Sequence, residues 1–366
     1  MSFESGSVGF RMFYVPKEFP EDVVQKFARH AAPPIDTLGD GEINGWVSGR
    51  HLLDRKITRD NAYFGGFLRL TLMQAERKIP EPLLRAECKM EELAQLEASG
   101  EEKLSQASRS EIRRSVTARL LPSMPPQLKG IPFIYDENAK LIYATALSEK
   151  QMDAFLIFFT QTVGFGPIPV APETASIKRM EVNLREWTAT SYSPDVEDDA
   201  VSNDAGMDFL TWLWFVSEAR GGMVSLDKLG QFAVMLEGPL TFLMEGGGAH
   251  ETVLRKGEPL LSAEAKTCLL AGKKLRRSKL TLARGDETWK CSFDAETFVV
   301  RGLKLPESEK LDTVSRFQDR MAKIDTFQEA LLSLYDRFVA ERNDAKKWSA
   351  CRDGIHAWVK GRKVRK

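Results

Sequence analysis

The chain has 366 residues, 43% hydrophobic and 28% charged, which is enough apolar material for a full core and two or three subdomains. Its 52 Lys and Arg balance its 52 Asp and Glu, so any attraction to phosphate has to come from local sorting of charge. Cys88, Cys268, Cys291 and Cys351 lie far apart, as do His30, His51, His250 and His356; that argues against a zinc site or a disulfide framework and fits a reducing cytoplasm. The opening MSFESGSVGFRMFYVP has no basic start followed by an apolar run, and no stretch reaches the length of a membrane span, so neither a signal peptide nor a membrane partner is expected. Residues 7–15 read as a strand, 20–30 as a short helix with Val23, Val24 and Phe27 on one side, and 31–40 as a Pro/Gly loop. Residues 64–73 alternate, with Leu68, Leu70 and Leu72 on one face and Arg69 and Thr71 on the other. The longest helical signal of the first half is 78–122. Pro82 suits a first turn, and Leu83, Met90, Leu93 and Leu96 with Ala86 and Ala94 form one apolar stripe. Ser99-Gly100 interrupts it, a Ser108–Glu111 capping box restarts it, Ile112, Val116 and Leu120 carry the second stripe, and Leu121-Pro122 ends it. The pattern predicts a helical hairpin packed on a sheet.

Residues 131–135 and 141–145 read as strands joined by a turn at 136–140. Ser148 and Gln151 cap a helix whose Met152, Phe155, Phe159 and Val163 belong to a core, and 167–174 is a Pro-rich connector. A strand is predicted over 177–187 and a mobile acidic loop over 195–208. Residues 209–215 are apolar all round, which predicts a buried helix, with a partner-binding surface as the sharper alternative. Segments 231–236 and 240–244 predict a hairpin about Glu237-Gly238-Pro239; Gly246-Gly247-Gly248 lacks the Lys-Ser/Thr of a phosphate loop. A helix at 262–271 precedes a three-stranded meander at 275–283, 288–293 and 297–303. Residues 311–342 form a long helix whose stripe of Val314, Phe317, Met321, Ile324, Gln328, Leu331, Tyr335 and Phe338 packs on its own sheet or along a second copy. The tail, 344–366, is basic, with Trp348, Ile355 and Trp358 interleaved.

Two segments concentrate positive charge. The first holds Lys266, Lys273, Lys274, Arg276, Arg277 and Lys279, with Arg255 and Lys256 upstream; the second is the tail, with Lys346, Lys347, Arg352, Lys360, Arg362, Lys363, Arg365 and Lys366. A Lys/Arg run is usually a solvated face, and Arg276 and Arg277 on one strand point to opposite faces, so charge alone does not make a phosphate track. Asp136-Glu137, Asp198-Asp199 and Glu181 with Lys178 are the conceivable nuclease carboxylates. The first pair lies in a turn and the second in a loop, and no Ser/His/Asp or Cys/His group is readable, so neither catalysis nor a cofactor is expected.

In order along the chain stand Gly45-Trp46-Val47, Lys78-Ile79-Pro80, the charged helix pair, Leu120-Leu121-Pro122, FIYDENAKLIYATA and a helix ending before PIPVAP. Leu184-Arg185-Glu186-Trp187, Val253-Leu254-Arg255, Leu261-Ser262-Ala263-Glu264 and Ala271-Gly272-Lys273 follow. By that order and spacing, over roughly residues 8–340, the chain resembles the bacterial recombination-associated RdgC family, as a longer and divergent member. The resemblance implies an α+β protein: antiparallel sheets with flanking helices, a long helical hairpin, and an elongated subunit forming a ring-like homodimer. The parts expected are an N-terminal α+β part (1–79), the helical tip (80–122), a hairpin plus helix (123–175), a second sheet-rich subdomain with an inserted apolar helix (176–308), the long C-terminal helix (309–342) and the basic tail (343–366).

It also implies a non-catalytic protein that encircles or tracks double-stranded DNA without reading its sequence. Such a protein modulates RecA-type recombination, meets the recombinase only through DNA, and is cytoplasmic and nucleoid-associated. Arg255 and Lys273 match basic positions of the family; Lys256, Lys274, Arg276 and Arg277 join them by proximity, and Glu258 stands where another basic residue is found. The loop 123–129 belongs to the ring-closing part and lacks the arginine and the aromatic of better-known members. The competing expectation is a protein-interaction scaffold that binds through the apolar helix 209–215 or the long C-terminal helix.

Overall fold

The computed structural model describes residues 3–100, 102–244, 251–255, 263–308 and 311–361. Strand β1 (Val8–Tyr14) is followed by helix α1 (Val23–Arg29), β2 (Glu42–Ser48), α2 (Arg59–Ala62), β3 (Tyr63–Phe64) and β4 (Phe67–Arg77). Next come α3 (Glu81–Ser99), α4 (Gln106–Leu120), β5 (Pro126–Asp136), β6 (Leu141–Ala144), α5 (Glu149–Val163), β7 (Ile168–Pro169) and α6 (Pro172–Met180). The chain continues through α7 (Ala205–Ala219), β8 (Met223–Leu226), β9 (Gly230–Leu243), β10 (Thr252–Leu254), α8 (Ala263–Leu270) and β11 (Lys274–Arg284). It closes with β12 (Glu287–Asp294), β13 (Val299–Lys304), α9 (Thr313–Asn343) and α10 (Ala345–Lys360). The class is α+β, with antiparallel strand pairing. Among the described residues no helix is long and apolar enough to cross a membrane.

The chain divides into two compact units, one of which comprises Lys17–Ile134 and Asp153–Gly166. Here β2 pairs β4 from Glu42↔Glu76 to Ser48↔Leu70, and β3 folds back on β4. The core is aromatic: Phe27, Trp46, Phe133, Phe155 and Phe159 are fully buried, and the Trp46 indole N–H donates to Thr162 Oγ1 at 2.7 Å. Gly45 admits the return of the chain, since a Cβ there would lie 2.2 Å from the Ala32 Cα. Strand β4 is covered on both faces rather than one: Arg69 and Thr71 are buried, and the Arg69 guanidinium lies 4.5 Å from the Phe64 ring centre.

Helices α3 and α4 join through Leu84 and Val116, flanked by Cys88, Ile112 and Leu120, while Arg119 bridges Glu87 and Glu91 at 3.1 Å. The cap of α4 is Ser105, not Ser108: Ser105 Oγ accepts the Ser108 N–H at 3.1 Å, because Ser105 holds the extended backbone that a cap needs. The segment 123–129 is half strand, since β5 begins at Pro126, and Lys129 is tied to Glu76.

The other unit comprises Met1–Pro16, Tyr135–Met152 and Pro167–Lys366. Its strands run β10-β9-β11-β12-β13-β1-β6, with β8 on β9 and β7 on β1. One face, carrying Phe232, Val234, Leu280, Leu282, Trp289 and Phe293, is buried. Helix α7 packs on β9 and β11, and the Trp289 N–H donates to the Lys323 carbonyl of α9 at 2.9 Å. Trp212 and Trp214 are buried, so the segment 209–215 is core and offers no docking surface. Gly206 lets α7 start against the β12–β13 turn, where a Cβ would meet the Ala295 carbonyl oxygen at 1.9 Å. Phe317, Met321, Ile324, Leu331, Tyr335 and Phe338 of α9 are buried within this same unit. The tail is helix α10, which seats Trp348, Cys351, Ile355 and Val359 against α9, α7 and α8.

Three expectations are corrected here. Residues 177–187 are not a strand. Pro172 starts α6, the Thr174 hydroxyl oxygen accepts the Ala171 N–H at 2.9 Å, and Ser176 meets the Tyr335 hydroxyl at 2.9 Å. The acidic segment 195–208 is ordered: Asp198 accepts the Ser191 N–H at 2.7 Å and pairs with Arg352 at 3.0 Å, and Asp204 caps α7 by accepting the Met207 N–H at 2.7 Å. Finally, no hairpin forms at Gly238-Pro239. Strand β9 runs through this cis bond because β11 pairs with both halves, and the register shift between Arg277 and Lys279 absorbs the proline's missing N–H.

Candidate nucleic-acid interface

The basic residues separate into struts that hold the fold together and a row on one sheet face. Lys274 is a strut: it is buried, with its Nζ 2.7 Å from the carboxylate of Asp208, itself fully buried on α7. Lys266 is another. Its Nζ donates to the Trp358 carbonyl at 3.1 Å and lies 4.5 Å from the Trp358 ring centre, so it holds α8 to α10; burial lowers its pKa against the pull of Glu218. Lys273 donates to Thr252 Oγ1 at 2.6 Å, and Arg255 is exposed just beyond β10. Lys256 and Glu258 lie outside the described residues, as do the Gly246-Gly247-Gly248 segment and the tail cations Arg362, Lys363, Arg365 and Lys366.

Arg276 and Arg277 do not diverge as plain alternation predicts. The register of β11 against β9 shifts between Leu275 and Arg277, and both guanidiniums reach Asp294, Arg277 at 2.5 Å and Arg276 at 3.6 Å. Arg276 also meets Glu296 at 2.7 Å.

Cross-strand register defines the row. Lys279 stands opposite Glu237 on β9 and Ser292 on β12, and Ser292 stands opposite Arg301 on β13. Directly paired residues share a face, so Lys279 and Arg301 lie on one face two strands apart, about 10 Å at ordinary strand spacing. Lys290 and Lys304, paired across β12 and β13, belong to the same face, as does Arg277. Leu280, Leu282, Cys291 and Phe293, at the intervening positions, point into the core. On this face Met235 is 46% exposed and Lys304 is exposed, Lys279 and Lys290 are half-buried, Thr281 and Asp294 are buried, and the Arg301 guanidinium donates to the Leu147 carbonyl at 2.7 Å.

Arg277, Lys279, Lys290, Arg301 and Lys304 meet on this face the carboxylates of Glu237 and Asp294, with Lys290 bound to Glu237 at 2.7 Å. Burial and then the positive charge of Arg277 lower the pKa of Arg301, Asp294 working against them and Arg11 and Arg276 adding to the fall. Clustering along the sequence points to Arg277 and Lys279 but misses Lys290, Arg301 and Lys304. Period-2 alternation within 288–293 and 297–303 would have put Lys290 with Ser292, but Arg301 with the buried Val299 and Leu303; only the pairing register joins them to Lys279.

Two of the carboxylates considered for metal binding, Asp136 and Asp198, have other work. Asp136 accepts the N–H groups of Asn138 and Ala139 at 2.9 and 3.2 Å and so closes the β5–β6 turn. Asp198 is held by the Ser191 N–H and the Arg352 guanidinium. Among the described residues no three His, Cys, Asp or Glu are grouped to hold a metal ion.

Compared with known proteins, residues 10–198 match the family model described as "Putative exonuclease, RdgC", a match over more than half of the chain. No curated protein matches it.

Proposed function

The chain belongs to the RdgC family, and from that premise we propose a recombination-associated protein of the nucleoid that binds duplex DNA without reading sequence and performs no catalysis. As a homodimer it closes around the duplex, and by occupying DNA it restrains RecA-type strand exchange. The observation that carries this is the Lys279–Ser292–Arg301 register, flanked by Arg277, Lys290 and Lys304. Phosphate contacts position a protein without specifying bases, and their free energy comes largely from released counterions. A cationic sheet face offers charges to phosphates rather than a helix to a groove, so it suits backbone contact over base readout. Of the six residues expected from sequence, Arg277, Arg255, Lys273 and Arg276 stay in the proposed set, with Lys256; Lys274 leaves it because Asp208 neutralises it in the core. Ring closure is proposed for the loop 123–129 together with the helical part 80–122 before it, where α3 leaves Leu83, Met90 and Leu93 exposed.

Fluorescence anisotropy on duplexes of unrelated sequence tests the reading. Affinity should fall steeply with salt and vary little with sequence. Lys279→Gln with Arg301→Gln should flatten the slope of log K against log salt by about 0.9 for each phosphate that is no longer neutralised. A salt-independent affinity, or an unaltered slope in that variant, defeats the proposal.

The word exonuclease in the family's description makes a second reading worth a direct test. End-labelled duplex incubated with Mg²⁺ or Mn²⁺ should keep its length. Shortening that disappears in Asp136→Asn or Asp198→Asn would establish cleavage and overturn the non-catalytic reading.

A further inference from the structure

A groove of about 490 Å³ runs along the edge of β8 that pairs with no strand among the described residues, between β8, the C-terminal turn of α7, α9 and the start of α10. Strand β8 pairs with β9 through Met223↔Ala233 and Ser225↔Gln231. The Val234 N–H donates to the Gly222 carbonyl, which makes Met223↔Ala233 a non-hydrogen-bonded pair, and Ser225↔Gln231 is one by the same alternation. The backbone groups of Met223 and Ser225 therefore point away from β9, along the groove. Arg337 of α9 donates to the Ser225 carbonyl and is otherwise exposed. Val216 and Val224 supply an apolar floor, and Met223, 54% exposed, forms the rim.

The charges are one-sided. Glu341 lines the groove, but both its oxygens are taken, by the Arg220 fork at 2.8 and 3.0 Å and the Trp212 N–H at 2.8 Å. Burial works against that carboxylate, yet the Arg220 and Trp212 hydrogen bonds hold its pKa below the usual range. Arg337 and Lys347 remain exposed on the groove wall; Lys347 meets Asp344 at 3.2 Å on the surface, a contact worth little in water.

We propose that this groove takes an acidic peptide of a partner protein, added to β8 as an extended strand. Alternate side chains of an added strand face opposite ways. One set would bring carboxylates to Arg337 and Lys347 while the other lays apolar groups on Met223. The partner is defined by that alternation of acidic and apolar residues, and its site is separate from the cationic sheet face.

The test uses the full chain and a fluorescein-labelled peptide of alternating Asp and Val, about eight residues long to span a strand, with a Lys-for-Asp peptide as control. The Asp peptide should bind at low salt and the Lys peptide should not. Arg337→Glu with Lys347→Glu should weaken binding at least tenfold with an unchanged circular dichroism melt. Ser225→Pro, which deletes an outward N–H, should weaken it likewise. Binding that survives both variants, equal binding of the two peptides, or displacement of the Asp peptide by duplex DNA would overturn the proposal. So would a homodimer that dissociates in Ser225→Pro, since a second copy of the chain would then own the edge. Because DNA affinity is read separately, failure here leaves the duplex-binding result standing, and the reverse.

Discussion

Lys274 and Lys279 lie five residues apart on β11 and do opposite work. Lys274 is enclosed with Asp208, so Lys274→Met would strand a buried carboxylate and should cost about 3–5 kcal/mol in chemical denaturation. Joining it to Asp208→Leu should recover most of that loss, since a buried pair replaced by apolar groups is often neutral. Lys279→Gln should leave the denaturation midpoint alone and change only the response of DNA binding to salt. Asp204 gives a second residue-level test. Burial first, and then the charge of Asp208, raise its pKa from 3.8 to about 7, against the Met207 N–H and Lys274. A carboxyl with a raised pKa binds more protons folded than unfolded. Its contribution is therefore full below about pH 4 and is lost as pH rises through 7. Asp204→Asn, which can still cap α7, should raise the melting temperature at pH 8 and leave it unchanged at pH 4.

Among the elements, α10 shows how an amphipathic helix can look like a charged tail. Its cations Lys346, Lys347 and Lys360 face water, while Trp348, Cys351, Ile355 and Val359 cover α7 and α9. The Trp358 ring stands edge-on to Trp214, with centroids 4.8 Å apart. A chain ending at Asn343 would expose that surface and should lose on the order of 5 kcal/mol, visible as a lowered melting temperature and as dye binding to exposed apolar groups. Helix α4 gives the opposite case, a local effect. Ser105→Ala should cost about 1 kcal/mol and speed hydrogen exchange of the amides of the first turn, while Glu111→Ala should leave those amides unchanged.

For the whole molecule, zero net charge is compatible with the proposed affinity for a polyanion because Lys279, Lys290, Arg301 and Lys304 gather on one sheet face. Removing Lys279, Lys290, Arg301 and Lys304 one at a time should lower the salt slope in steps of about 0.9. Removing Lys346 or Lys360 on α10, equal in formal charge, should lower it by none. Anisotropy titrations over a salt series separate these outcomes; equal steps at both sets would mean that bulk charge governs binding.

Sequence alone determined the α+β class, the helices with a 3.6-residue stripe such as α5 and α9, the β11–β12–β13 meander and the family likeness. All of these are local periodicities or orders along the chain. It misplaced α6, where a short capped helix looks like a strand, and it broke β9 at Gly238-Pro239, where neighbouring strands override a local turn signal. Only the tertiary structure decided which cations are buried and which share one sheet face. Burial of Lys274 depends on a carboxylate 66 residues earlier, on α7, and the meeting of Lys279 with Arg301 depends on strand register. Both are set by pairing between distant segments, where a one-residue slip would turn every side chain to the opposite face.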